Sequence, residues 1–126
     1  MKIVDSNVWI ALFHPKDAHH ARAVEELELF RQKKGEIIIT DYVLIEVSTV
    51  LLARVGKTAS NKFIEFVMKD MRVRFLQTSK ETFLMVLGLF RKASGSLSFV
   101  DVSLLLMSKI LKADLLTYDK ELRGAA

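Results

Sequence analysis

Residues 97–122, LSFVDVSLLLMSKILKADLLTYDKEL, decide the fold of this chain. The first half of this stretch is apolar on nearly every side, which predicts a buried helix. The short apolar run over residues 114–117 is typical of a parallel strand that is covered on both faces. Asp101 lies in the first turn of the predicted helix, and Asp119 lies just past the predicted strand. Two carboxylates therefore bracket a buried helix–strand unit.

The positions of these two acids relative to the sheet differ in how well they are determined. Ligands of open α/β sheets bind beyond the carboxyl ends of the strands, and Asp119 falls there directly. The helix that carries Asp101 begins at that edge or at the opposite edge, depending on its connection to the strand. The residues alone leave this point open.

The rest of the chain repeats the pattern of one strand and two helices. Further strands are predicted at residues 2–4, 36–40 and 73–76. Strands separated by helices need crossover connections, which produce a parallel sheet. The predicted architecture is α/β, a three-layer α/β/α sandwich around a parallel sheet of about four strands. We expect residues 1–126 to form a single domain.

Caps and breakers set the expected bounds of the other helices. The first helix is predicted over residues 6–13, and the second from an Asp17 cap to Lys33. The next two run from a Thr40 or Asp41 cap to Val55 and from a Thr58 cap to about Met71. A further helix begins at a capping box over residues 78–81 and ends at Lys92. The expected inward faces are Ala21, Val24, Leu27 and Phe30 in one helix, and Phe63, Ile64, Val67 and Met71 in another.

Composition favours an ordered protein of the cytoplasm. Half of the residues are hydrophobic (51%), and there is one proline and no cysteine. The acid at position 5 interrupts any signal peptide, and no charge-free run approaches the roughly 20 residues of a membrane span. We therefore expect a soluble, cytoplasmic protein without membrane contact. The net charge of +4 mildly favours a polyanionic partner.

Four acids stand out, and each has a structural explanation of its own. Asp5 ends the first strand and suits an Asx turn or a helix cap. Asp101 can complete a capping box with Ser98, and Asp119 can cap the last helix. Glu46 is the only charge in the segment YVLIEVSTVLL, whose polar stripe is hardly a solvated face. Because buried charges need partners, a cation shared by all four acids is the alternative explanation.

Four segments together resemble the signature segments of PIN domains, most closely those of VapC-type toxins from toxin–antitoxin pairs. They are residues 3–8 (IVDSNV), 40–47 (TDYVLIEV), 97–101 (LSFVD) and 116–122 (LTYDKEL). The resemblance runs essentially from end to end, in order and with fitting spacing. It implies a metal-dependent endoribonuclease whose acids converge at one end of the sheet.

The resemblance also implies roles for individual residues. Asp5, Glu46, Asp101 and Asp119 match the acidic positions of the family, the last of which is variable. Ser6 and Thr117 match small hydroxyl positions that support the acids. The resemblance places Asp101 at the active edge of the sheet. It further implies a cognate antitoxin whose C-terminal segment lies over the active groove.

The donor types predict the metal. Carboxylates without a cysteine or histidine cluster suit Mg²⁺ or Mn²⁺ rather than Zn²⁺. We expect Asp5 and Asp101 to bind the ion directly, and Glu46 and Asp119 to hold metal-bound waters or a second ion. The general base remains open between Glu46 and Asp119.

The remaining polar and apolar residues carry weaker expectations. The histidines, His14, His19 and His20, lie in a polar helix entry and are not expected to chelate a metal. Candidate RNA-binding residues, chosen only by their proximity to the acidic segments, are Arg54, Lys57, Lys120 and Arg123. A homodimer interface is expected for apolar helix faces that prove exposed.

Two other classes of protein compete with the nuclease hypothesis. A phosphoacceptor receiver domain needs paired acids after its first strand, whereas Asp5 is followed by Ser6 and Asn7. A catalytically silent PIN-like module that binds RNA or protein has no need of four convergent acids. Cleavage of RNA in the presence of Mg²⁺ distinguishes a nuclease from both.

Overall fold

A parallel four-stranded sheet forms the centre of the protein, which a computed structural model describes over residues 1–126. The strands lie in the order β3-β2-β1-β4 and are β1 (Lys2–Val4), β2 (Ile37–Thr40), β3 (Val73–Leu76) and β4 (Asp114–Leu116). The helices are α1 (Ser6–Phe13), α2 (His20–Gln32), α3 (Asp41–Arg54), α4 (Lys57–Lys69), α5 (Lys80–Lys92), α6 (Phe99–Leu111) and α7 (Lys120–Ala125). The predicted α/β architecture with a parallel sheet is confirmed.

The two central strands are the apolar ones. Ile3 of β1 and Ile39 of β2 are fully buried, because helices cover both strands. The strands β3 and β4 form the edges, and their side chains are only partly covered. The predicted cover on both faces of β4 is partial: Leu115 and Leu116, on opposite faces, are half-buried and pack against the core.

Aromatic side chains join α1 to α4 in the core. Trp9 and Phe13 both pack edge-on against Phe63, with ring centroids 5.6 and 5.5 Å apart. The indole Nε1 of Trp9 donates to the carbonyl of Val4 at 3.2 Å, so this buried polar group has a partner. This contact fixes α1 against the end of β1, directly beside Asp5.

The start of α2 differs from the prediction. The helix begins at His20 because the Asp17 carboxylate accepts from the His19 backbone N–H at 2.8 Å, which closes a turn before the helix. Ala21 and Val24 are exposed, contrary to expectation, and Ala23 is the buried residue of this helix.

Helices α4 and α5 also differ from their predicted bounds. Helix α4 ends at Lys69, so Met71 lies outside it and is almost fully exposed. Its N-cap is Gly56 rather than Thr58. At the start of α5, Ser79 is the cap, because the Thr78 hydroxyl donates to the Asp41 carboxylate at 2.7 Å instead of capping the helix.

Helix α6 is largely buried, as predicted. Val102, Leu104 and Met107 are buried, and only Lys109 and Ile110, in the last turn, are exposed. Helix α6 packs against the edge strand β4 and has α5 as its main helical neighbour. No helix in the chain combines the length and the apolar character that a membrane span requires.

Candidate active site

Asp5 is the centre of the candidate site. It follows β1 at the carboxyl edge of the sheet and is 6% exposed. Its Oδ1 accepts from the Ser6 backbone N–H at 2.7 Å, and its Oδ2 accepts from the Thr117 hydroxyl at 2.8 Å. The first strand and the last strand of the chain thus meet at this carboxylate.

Asn7 and Thr117 hold the Asp5 carboxylate in place. Besides donating to Asp5, the Thr117 Oγ1 accepts from Asn7 Nδ2 at 3.2 Å and from the Asp119 backbone N–H at 3.1 Å. The Asn7 Oδ1 in turn accepts from the backbone N–H of Tyr118 at 3.1 Å. Sequence reasoning missed Asn7, although it lies within the segment IVDSNV that was singled out.

Glu46 and Asp101 lie close enough to Asp5 to act on it electrostatically. Burial is the main cause that raises the pKa of the Asp5 carboxyl above its ordinary value. The hydrogen bonds from Thr117 and Ser6 lower this pKa, and the charges of Asp101 and Glu46 raise it. Three acids that are far apart in the sequence therefore share one electrostatic environment.

The connection between α6 and β4 explains the position of Asp101. Only Lys112 and Ala113 separate α6 from β4, with Lys112 in the left-handed conformation at φ 52°. Such a tight reversal makes the helix run opposite to the strand. The first turn of α6, which carries Asp101, thus lies near the carboxyl end of β4.

Three of the four acids also cap helices. Asp5 caps α1, and Asp101 forms a capping box with Ser98, in which the Asp101 Oδ2 accepts from the Ser98 backbone N–H at 2.9 Å. Asp119 caps α7 through its Oδ1 and is not among the groups that raise the pKa of Asp5. Capping and site formation are compatible, since helix N-termini favour negative charge.

The donors around Asp5 fit a hydrated Mg²⁺ or Mn²⁺ ion. No three carboxylate or imidazole side chains are grouped closely enough to hold a metal by themselves. Mg²⁺ needs only one or two carboxylates, however, and keeps several waters. Next to Asp5, the buried Ser6 hydroxyl has no hydrogen-bond partner, which is unusual for a group that is 3% exposed. An ion or its water at this point would provide that partner.

A cleft of about 420 Å³ opens beside Glu46. Its walls come from one face of α3 and the start of α6: Tyr42, Ile45, Glu46, Thr49, Val50 and Val100. Glu46 itself is exposed and makes no hydrogen bond within the chain, so its carboxylate is free to receive a ligand or a proton. Of the four acids, only Glu46 lines this cleft.

The candidate RNA-binding cations are at different places. Arg123 lies at the site, where its Nη2 donates to the Thr117 carbonyl at 2.9 Å, and Lys120 opens α7 directly after Asp119. Arg54 is the last residue of α3, eight residues or about 12 Å along the helix from Glu46. Lys57 begins α4, beyond that end.

A second, apolar cavity of about 230 Å³ lies between α1, α2 and the sheet. Trp9, Leu27 and Phe30 contribute to its lining, and none of the four acids does. We therefore assign no part of the acidic chemistry to it.

The fold and the site define a class of protein: a parallel α/β domain with a buried aspartate and two further acids at the carboxyl edge of its sheet. The PIN domain family model matches residues 2–126, and the chain belongs to the PIN domain family. The resemblance read from the four sequence segments is thereby confirmed. No curated protein sequence matches the chain.

Two solved structures have a similar fold. Mycobacterium tuberculosis VapC20, described as a Sarcin-Ricin loop cleaving toxin, superimposes with a TM-score of 0.86 at 22% identity, covering 100% of this chain and 95% of that one. VapBC2 from Rickettsia felis, bound to a DNA fragment from its promoter, gives a TM-score of 0.68 at 15% identity, with 98% of this chain and 91% of that chain covered. At these identities the similarity establishes the fold.

Proposed function

We propose that residues 1–126 act as a single PIN-domain endoribonuclease that hydrolyses RNA phosphodiester bonds with Mg²⁺ or Mn²⁺. The observation that carries the proposal is the buried Asp5 carboxylate, whose pKa is raised by burial and by the nearby charges of Asp101 and Glu46. Acids that repel one another destabilise the folded state, and a cation bound between them would explain why they are held together.

Each acid has a distinct part in the proposed reaction. Asp5 and Asp101 would hold the ion, which when bound would polarise the phosphate and lower the pKa of the attacking water. Glu46, exposed in the cleft and free of hydrogen bonds, is placed to orient that water and accept its proton. Asp119 is not among the charges that act on Asp5, so we assign it a supporting part.

Cleavage of a labelled RNA pool by the purified protein tests this function. With Mg²⁺ or Mn²⁺ the wild type should cleave, EDTA should stop cleavage, and Asp5→Asn should be inactive while remaining folded. Glu25→Gln, which removes an exposed acid from α2, is the matched control and should cleave as the wild type does. Activity that persists in EDTA or in Asp5→Asn would refute the site. Binding of RNA without any cleavage would instead favour the silent PIN-like module.

We further infer that the protein acts in the cytoplasm as the toxin of a toxin–antitoxin pair. The support is the fold shared with the VapC20 toxin and with the VapBC2 complex. Expression of the wild type in a bacterial host should arrest growth, whereas expression of Asp5→Asn to the same level should not. Unimpaired growth with active, soluble wild type would contradict the toxin assignment but not the nuclease activity.

We infer that the exposed face of α5 forms a homodimer interface. Helix α5 buries only Val86, while six large apolar side chains are between 39% and 53% exposed: Phe83, Leu84, Met85, Leu87, Leu89 and Phe90. Exposed apolar side chains concentrated on one helix mark an interaction site, and two copies related by a two-fold axis would cover each other.

Light scattering after size-exclusion chromatography tests the dimer. The wild type should have the mass of two chains, and Leu84→Glu should have the mass of one. Met68→Glu is the matched control, because Met68 is 80% exposed on α4 and lies outside this face. A monomeric wild type, or equal loss of the dimer in both variants, would contradict the assignment.

A further inference from the structure

Three flat side chains stack at the edge of the acidic site. Tyr118, which separates Thr117 from Asp119, lies with its ring against the start of α2. The imidazole of His19 is 4.8 Å from the Tyr118 ring, measured between centroids, with the two planes inclined by 38°. The guanidinium carbon of Arg22 is 4.4 Å from the same ring centroid. We call these three residues the stacked array.

The stacked array is fixed both to the acidic site and to α2. The Tyr118 backbone N–H donates to Asn7, whose amide donates to Thr117, which in turn donates to Asp5. A continuous set of hydrogen bonds thus joins the Tyr118 backbone to the Asp5 carboxylate. On the other side, the Tyr118 hydroxyl donates to Glu26 Oε1 at 3.4 Å.

The Arg22 guanidinium is paired as well as stacked. Its Nε donates to the Glu26 carboxylate at 2.8 Å, so much of its charge is neutralised, and its carbon lies over the Tyr118 ring. His19 is exposed, and the Arg22 side chain is about half-exposed. An exposed stack of an imidazole, a phenol and a guanidinium suits another flat, aromatic group better than it suits a phosphate.

We propose that the stacked array binds a nucleobase of single-stranded RNA next to the scissile phosphate; this inference rests on the ribonuclease function proposed above. Unstacked RNA bases bind to proteins by stacking on aromatic rings and on arginine planes. A base on the array would be near the acidic site, because Tyr118 follows Thr117 directly in the chain and its backbone N–H donates to Asn7. Lys120 and Arg123, on the other side of Asp119, remain available for phosphates.

The test measures binding of short single-stranded RNA that carries the fluorescent base 2-aminopurine at successive positions. The inactive variant Asp101→Asn serves as the parent protein, so that no RNA is cleaved. We expect quenching of 2-aminopurine at one position, since stacking on the array changes its emission. Replacing that nucleotide by an abasic one should weaken binding at least about fivefold.

Variants of the array complete the test. In the same parent, His19→Ala and Arg22→Gln should each weaken binding of the intact RNA, but should bind the abasic RNA as the parent does. Arg74→Gln is the matched control, because Arg74 forms a comparable exposed pair with Glu36 and lies outside the array. Its binding should equal that of the parent.

The outcomes separate this inference from the proposed function. Equal binding of intact and abasic RNA, or equal losses for Arg22→Gln and Arg74→Gln, overturns the stacking role while leaving RNA cleavage untouched. Conversely, position-specific quenching that depends on His19, in a protein whose wild type cleaves no RNA, supports the array and refutes the nuclease.

Discussion

Glu46 is the acid whose neutralisation disturbs the least structure. Its carboxylate makes no hydrogen bond, yet its charge raises the pKa of Asp5. Asp5 is different, because Asn at position 5 would point an amide at Thr117, whose oxygen already accepts two hydrogen bonds. A substitution at Glu46 therefore reports on charge repulsion alone, whereas one at Asp5 also breaks a hydrogen bond.

Glu46→Gln should lower the pKa of Asp5 and slightly increase the stability of the metal-free protein at pH 7. Because the folded-state pKa of Asp5 is raised, the native state holds this proton more tightly than the unfolded chain does. The resulting destabilisation is present at neutral pH and is relieved as the pH falls through the raised value. Denaturant unfolding of both proteins in EDTA, at neutral and at acidic pH, measures the difference.

The advantage of Glu46→Gln should vanish at acidic pH. Glu25→Gln, which neutralises an exposed acid of α2 that does not act on Asp5, should show no advantage at either pH. A lower stability for Glu46→Gln at pH 7 would mean that Glu46 stabilises the fold, and that the acids do not repel one another.

Thr117 is the residue through which the site is oriented. Thr117→Val keeps the shape but removes the hydroxyl that donates to Asp5. We expect the pKa of Asp5 to rise further and RNA cleavage to fall about 10- to 100-fold, as for other groups that orient a metal ligand. Single-turnover cleavage measures the loss, and Thr58→Val, at an exposed position of α4, is the control. Unchanged cleavage in Thr117→Val would show that Thr117, and Asn7 acting through it, do not orient Asp5 for catalysis.

Helix starts are the elements on which the site is built. Asp5 caps α1, and Asp101 lies in the first turn of α6, so each carboxylate both accepts from a backbone N–H at a helix start and belongs to the candidate site. This double use made the acids ambiguous in the sequence. A helix cap and a metal ligand both require an acid at this position, so the sequence does not distinguish the two roles.

Two substitutions at Asp101 separate the two roles. Asp101→Asn keeps an oxygen that can accept from the Ser98 N–H, whereas Asp101→Ala removes the capping box. Both variants should be inactive, but only Asp101→Ala should lose stability, by about 1 kcal/mol. Denaturant unfolding together with the cleavage assay checks this. Equal stability of the two variants would show that the box contributes nothing to α6.

Local sequence signals predicted where the helices begin better than they predicted which side chains are buried. Thr40, Ser98 and Asp119 are caps as expected, because a cap is decided by a few neighbouring residues. Asp17 was wrong as a cap since its carboxylate closes a turn with His19 instead. Whether an apolar residue is buried depends on distant partners, which is why Ile110 and Met71 proved exposed.

The same limit applies to the site. The four acids were identified from their order in the chain, but the approach of Glu46 and Asp101 to Asp5 is a property of the assembled sheet. The stacked array could not be inferred, because His19 and Tyr118 are separated by most of the sequence. Nothing in the sequence links His19 to the segment 116–122 that contains Tyr118.

At the scale of the whole molecule, metal and stability should be coupled. A cation that binds only the folded state stabilises it by about 2.7 kcal/mol at a hundredfold excess over Kd. Addition of Mn²⁺ should therefore raise the melting temperature of the wild type more than that of Asp101→Asn. Thermal melts in EDTA and in Mn²⁺ measure both. An equal response of the two proteins would place the ion elsewhere.

The strand order β3-β2-β1-β4 has a consequence for synthesis on the ribosome. Asp5 emerges among the first residues, but Thr117, which hydrogen-bonds to it from 112 positions away, is translated near the end. The sheet can pair β1, β2 and β3 while β4 is still unmade, since chains fold as they emerge. Ribosome-bound chains stalled before residue 114 should cleave no RNA, whereas released chains should. The proposed nuclease site is thus incomplete until the final strand has left the exit tunnel.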